Sequence, residues 1–85
     1  MNISIVYVNY KTARLILDSI KSVKEKTEDV DYEIIVVDNA SGDGSLELIQ
    51  KQYPEVICVQ ADENMGFGRA NNLGMTYASG DCILF

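Results

Sequence analysis

Glu33-Ile34-Ile35-Val36-Val37-Asp38-Asn39-Ala40-Ser41-Gly42-Asp43-Gly44-Ser45 is the stretch on which the fold turns. Its first five residues are apolar without interruption after Glu33 and mostly β-branched. Such a run reads as a strand buried on both faces, as in a parallel sheet, rather than as an alternating strand with one wet face. The run ends abruptly on a carboxylate, a polar glycine-rich loop follows, and Asp43 or Ser45 offers a cap for a helix. Asp62-Glu63-Asn64-Met65-Gly66-Phe67-Gly68-Arg69-Ala70-Asn71-Asn72-Leu73-Gly74-Met75 repeats the arrangement after the apolar run Val56–Val59. Two polar loops at strand ends, each opening a helix, are where an α/β sheet holds a small polar ligand.

The remaining segments extend the same alternation. Ile3–Val8 reads as a first strand. Thr12 is placed to cap a helix over Ala13–Lys26, on which Ala13, Ile16, Leu17, Ile20 and Val23 form one apolar stripe. Leu46, Leu48, Ile49 and Tyr53 supply the second helix with apolar contacts, and Pro54 ends it. A third helix runs from Phe67 or Gly68 to Ala78, Gly80-Asp81 turns the chain, and Cys82–Phe85 begins a fourth strand. The order βαβαβαβ with right-handed crossovers predicts an open, mostly parallel sheet in the order three-two-one-four, with helices on both faces. Residues 1–85 read as a single partial domain, because the chain ends inside an apolar strand with no helix to cover it.

Composition narrows the function. Seven basic and thirteen acidic residues among 85 give a net charge of −6 and a pI near 4.3, which disfavours nucleic acid as a partner. The absence of histidine excludes a histidine-based zinc site and a Ser-His triad within the chain. Cys58 and Cys82 lie in apolar runs and read as buried free thiols, consistent with a reducing compartment. The start lacks the pattern of a signal peptide, and no run approaches the roughly 18 apolar residues of a membrane span. A cytoplasmic location is expected, possible at the inner face of a membrane for a longer protein.

Candidate ligand contacts follow from position. Asp38 closes the second strand, where a carboxylate faces the ligand crevice and accepts from a ribose hydroxyl or a base N–H; alternatively it serves the turn. Gly66 and Gly68 allow backbone to approach a ligand at a helix start, or simply make a tight turn. Lys11 and Arg69 are candidate cations, with solvated surface charge as the other reading. Asn64 is open to either role, and Asn71 and Asn72 read as structural. Tyr7 and Tyr10 read as core or rim packing. Asn39–Gln50 has some spacing of a calcium loop but lacks the last carboxylate and the entering helix. Gly66-Phe67-Gly68-Arg69-Ala70-Asn71 follows the third strand rather than the first and lacks the third glycine of a dinucleotide fingerprint, which argues against an oxidoreductase.

Taken in order, Ile3–Tyr10, Glu33–Ser45, Asn64–Gly74 and Ala78-Ser79-Gly80-Asp81 resemble the amino-terminal half of a family 2 glycosyltransferase of the GT-A fold, with the flavour of its rhamnosyltransferase-like members. The resemblance implies a UDP- or dTDP-sugar donor, with Val8 and Asn9 against the base, Asp38 holding base or ribose, and Asn64 and Gly66 lining the same pocket. It further implies transfer of the sugar to an acceptor hydroxyl. A divalent cation, Mn²⁺ or Mg²⁺, is expected for the full-length enzyme, held by acidic residues after Ile83-Leu84-Phe85; the 85 residues alone are expected to hold none and to be inactive. Lys11 stands where asparagine is usual. A non-catalytic α/β module that binds a nucleotide or a partner is the alternative, and self-association through an exposed sheet edge is expected of the isolated chain.

Overall fold

The computed structural model describes every residue except Met1, Asn2, Glu28, Asp81 and Phe85, and for Cys82–Leu84 the backbone only. Seven elements alternate: β1 (Ile3–Asn9), α1 (Ala13–Lys26), β2 (Tyr32–Asp38), α2 (Ser45–Gln52), β3 (Ile57–Gln60), α3 (Phe67–Met75) and β4 (Cys82–Leu84). The four strands form one parallel sheet in the order β3-β2-β1-β4, the order that the alternation predicts.

The uninterrupted apolar run of β2 has the predicted consequence. Ile34 and Val36 join Ile16 and Ile20 of α1, Ile49 of α2 and Val56 in a core on one face. Ile35 and Val37 join Val6, Val59 and Ala70 of α3 in a second core on the other face. The four aliphatic side chains of β2 are all buried, and each contributes about 1.5–3 kcal/mol relative to exposure. The α1 stripe packs as expected, with Ala13, Leu17 and Val23 flanking the buried Ile16 and Ile20. Tyr7 joins the same core, and its hydroxyl lies 2.7 Å from Ser19 Oγ.

Five local expectations are corrected. Leu48 is half-exposed and joins neither core, because it points away from the face carrying Ile49. The residue capping α2 is Gly44, with φ of 75°, while the Asp43 carboxylate accepts from the Ser45 N–H at 3.1 Å just inside the helix. Thr12 does precede α1, yet its hydroxyl donates to Asn9 Oδ1 rather than capping the helix. The third helix ends at Met75 rather than Ala78, where bonds from Thr76, Tyr77 and Ala78 to carbonyls three residues back tighten the last turn. Cys58 is only half-buried, being on the edge strand β3. The side chain of Cys82 and the exposure expected of Cys82–Phe85 lie outside the described residues.

One polar clamp sets the approach to β4. Glu33 Oε2 accepts from Ser4 Oγ at 2.6 Å, Ser79 N at 2.7 Å and Ser79 Oγ at 2.9 Å. Gly80 N donates to Ser4 Oγ at 2.8 Å. Burial works to raise the Glu33 carboxyl, but the bonds from Ser4 and Ser79 outweigh it and hold the group below the usual carboxylate range. The clamp ties the turn after α3 to the starts of β1 and β2 and so delivers β4 beside β1.

Candidate functional site

The parallel register brings Asn9, Asp38 and Gln60 abreast at the carboxyl ends of β1, β2 and β3. Asp38 is 3% exposed and Asn9 fully buried. Asp38 Oδ1 accepts from Asn9 Nδ2 at 2.8 Å and Ser41 Oγ at 2.7 Å. Its Oδ2 accepts from Gln60 Nε2 at 3.1 Å and Ser41 N at 3.3 Å. Burial works to raise this carboxyl, but the bonds from Ser41, Asn9 and Gln60 prevail and hold it below the usual range. Asp38 is therefore an anion at neutral pH, and it is part of the turn as well as of the crevice wall.

Asn9 crosslinks two loops. Besides Asp38, its Nδ2 donates to Ser41 Oγ at 3.2 Å, and its Oδ1 accepts from Thr12 N and Thr12 Oγ1, each at 3.1 Å. Two donors and two lone pairs are all an asparagine amide possesses, so the side chain is saturated. Asn39, also buried, performs the same service toward the β3–α3 loop. Its Nδ2 donates to Asn64 Oδ1 at 3.1 Å and its Oδ1 accepts from Met65 N at 3.0 Å.

The five sequence-predicted contacts are thus placed as follows. Asn9 and Asp38 are bonded to each other. Asn64 and Gly66 share the loop that Asn39 draws over the end of β2, and Gly66 N donates to Asn64 Oδ1 at 3.0 Å. Gly66 has φ of 80° and ψ of 161°, a conformation essentially restricted to glycine. Val8 sits beside Val37 in the register but packs against the α3-side core. A cleft of about 560 Å³ opens beside Asp38, bounded by Ala40, Gly42, Gly44, Gln60 and Asp62; of the five, only Asp38 lines it. Its size falls within the range of roughly 300–1,000 Å³ usual for small-molecule sites.

Asn39, Ser41 and Gln60 are site-building residues; the sequence weighs the first two only as part of a calcium-like loop and leaves Gln60 unremarked. Asn39 and Ser41 stood in the quoted loop, and Gln60 is the polar residue that closes β3 just as Asp38 closes β2. Lys11 and Arg69 are both exposed. Asn71 and Asn72 do not bond loop or helix-end backbone among the described residues; Asn71 Oδ1 is buried without a partner. Among the described residues no group of three acidic or cysteine side chains is placed to hold a metal ion. With Asp38 already saturated, these residues do not fit a divalent cation.

Backbone strain gathers in the same loops. Among the described residues, Lys11 and Ala40 are the non-glycine residues with positive φ, at 58° and 62°, a region that asparagine adopts more readily than lysine. Lys11→Asn should remove about 1 kcal/mol of strain. It also forfeits the contact of Lys11 Nζ, 5.3 Å from the Tyr10 ring centroid, an exposed cation–π pair amounting to about 0.5 kcal/mol. The expected net gain is about 0.5 kcal/mol, read as a higher urea midpoint at unchanged slope. A lower midpoint would show that the ring contact outweighs the strain.

An open parallel half-sheet carries polar loops over a buried carboxylate at its carboxyl edge, the edge at which open α/β sheets hold their ligands. The family description "Glycosyl transferase family 2" matches residues 4–85, and the chain belongs to that family. An uncharacterized glycosyltransferase of Nostoc sp., alr2836, is 38% identical over 88 residues, which cover 100% of this chain and 27% of the relative. S. aureus TarS residues 1–349 superpose with a TM-score of 0.87 and 24% identity in complex with UDP. In complex with UDP-GlcNAc the values are 0.81 and 26%, with 100% of this chain and 26% of that one covered. The mannosyltransferase PcManGT of Pyrobaculum calidifontis, solved with GDP-Man and Mn²⁺, gives 0.78 at 24% identity over 96% of this chain and 26% of its own. The GT-A architecture follows from these likenesses. The chain spans about a quarter of the length of the curated relatives it matches, at 27%, 31% and 22%.

Proposed function

We propose that this chain is the nucleotide-binding part of a glycosyltransferase that moves a sugar from a UDP- or dTDP-sugar to an acceptor hydroxyl. The observation that carries the proposal is the Asp38 platform. An anionic, buried carboxylate is held rigidly at the carboxyl edge of a parallel sheet, beside a cleft of ligand size. An ionised carboxylate accepts only, so it selects a ligand donor: a ribose hydroxyl or a base N–H. Asn64 supports the same role, since among the described residues nothing accepts from its Nδ2. Gly66 has open space where a side chain would project, leaving backbone accessible at the start of α3.

A diphosphate needs neutralising charge. Among the described residues no acidic cluster is placed to hold a cation; PcManGT is solved with Mn²⁺, and on this proposal the full-length enzyme uses a divalent cation as well. Family membership, together with TarS bound to UDP-GlcNAc, supports the donor class. The edge strand β4 pairs only with β1 among the described residues; further strands, or a second copy of the chain, would add there. A reducing, cytoplasmic setting accords with the free Cys58 thiol, and no helix among the described residues is long and apolar enough to cross a membrane.

Titration of the ¹⁵N-labelled chain with UDP and Mg²⁺ tests the site. Amide shifts should concentrate at residues 8–11, 38–42 and 60–66. Shifts confined to the opposite edge of the sheet, around Glu33 and Ser79, would overturn it.

A further inference from the structure

Asp38 carries two oxygens with roughly four lone-pair directions, and the fold fills all of them. A ligand donor can therefore reach the carboxylate only by replacing a donor already there. Three of the four are locked in place. Asn9 is fully buried and saturated, and Ser41, 7% exposed, supplies both its hydroxyl and its backbone N–H. The fourth, Gln60 Nε2, belongs to an exposed side chain at the end of edge strand β3. The Gln60 side chain also forms part of the wall of three clefts, including the one of about 560 Å³ beside Asp38. Its Nε2 lies 3.0 Å from Ala61 O and 3.4 Å from Asp38 O as well. Three acceptors share two hydrogens, so the amide keeps a partner after leaving Oδ2.

We propose that Gln60 is a resident competitor for Asp38: its amide occupies the position on Oδ2 that a nucleoside diphosphate donor takes, and it yields that position when the nucleotide binds. The exchange keeps the buried carboxylate hydrogen-bonded throughout, which avoids the cost of leaving a charged group bare. It also makes the subsite selective. A ligand that presents a hydroxyl or N–H replaces the Gln60 donor, whereas one that presents a carbonyl or ether oxygen meets an acceptor and leaves Gln60 in place. Gln60 is a specificity-determining residue in this scheme, and its role rests on the nucleotide-binding function proposed above.

The test compares UDP binding, with Mg²⁺, to the full chain and to Gln60→Leu. The leucine cannot donate, and its site at an exposed strand end leaves both cores untouched. Gln60→Leu should bind UDP about two- to tenfold more tightly, the span of one net hydrogen bond. In the unsubstituted chain, UDP should move the Gln60 side-chain amide signals toward those of a free glutamine. Equal or weaker binding by Gln60→Leu, or unmoved Gln60 amide signals alongside a shifted Asp38 carboxyl ¹³C signal, would overturn the competitor role alone. An Asp38 carboxyl signal that ignores UDP in both proteins would overturn the nucleotide contact itself, and the competitor role with it.

Discussion

Asn9→Ala should cost about 3 kcal/mol of stability at neutral pH. The substitution removes four hydrogen bonds, but they are not equivalent. Thr12 is half-exposed and its N–H and hydroxyl can turn to water. Asp38 is 3% exposed and cannot, so most of the loss is the cost of a buried carboxylate short of one donor, plus the void left by the amide. A domain of this length has roughly 4–13 kcal/mol in hand, which makes the loss a large share of the total. The loss should also depend on pH in a defined direction. The folded-state pKa of Asp38 is lowered. Its bonds therefore add stability above the unfolded value, near about 4, and that stability disappears as pH falls through the folded value. The gap between the parent chain and Asn9→Ala should accordingly narrow below about pH 4. Urea titrations at neutral pH and at about pH 3 would measure both. An unchanged midpoint at neutral pH would mean that Asn9 serves a ligand and not the fold.

That distinction marks where sequence reading ran out. The continuous apolar run of β2 foretold burial on both faces of a parallel sheet, and the alternation of strands and helices foretold its order and the helices on either side. The α1 stripe was equally legible, because a period of 3.6 residues survives any detail of packing. The loops that gather at the carboxyl edge were legible too, since each polar segment follows a strand. What was not legible is which polar side chain bonds which. The Asn9–Asp38–Gln60 row exists only because the three strands stop in register, and strand ends are the least certain part of any sequence reading. The resemblance set Asn9 against the base, and its side-chain amide proves to be saturated. Gln60 looks like the unremarkable end of a strand and proves to be the exposed partner of the buried carboxylate. The resemblance placed an asparagine at the position of Lys11 without a reason; the left-handed backbone there supplies one.

Gly74→Val should be as damaging as the loss of Asn9, for the opposite reason. Gly74 lies on the face of α3 that rests on the sheet, where a Cβ would come within 2.5 Å of Val6 Cγ1 and 3.1 Å of Val37 Cγ2. Val6 and Val37 are themselves almost wholly buried, so neither has space to retreat into, and close-packed interiors transmit such strain. Alanine at this position sets a gain of about 1 kcal/mol in helix propensity against about 1–3 kcal/mol of overpacking, a modest net loss. Valine adds two more methyl groups and a poorer helix propensity, and about 3 kcal/mol or more should be lost. Gly68 provides the internal control. It lies in the same helix with nothing within 4 Å of its would-be Cβ, so Gly68→Ala should leave stability unchanged or raise it by up to about 1 kcal/mol. Thermal or urea unfolding of the two variants side by side separates contact from propensity. If Gly68→Ala were as harmful as Gly74→Val, the close approach of α3 to the sheet would not be the cause. A milder Gly74→Ala that folds but binds UDP more weakly would extend the argument to the site, because α3 can relieve the clash only by lifting from the sheet, and Gly66 and Asn64 would be carried away from Asn39 with it.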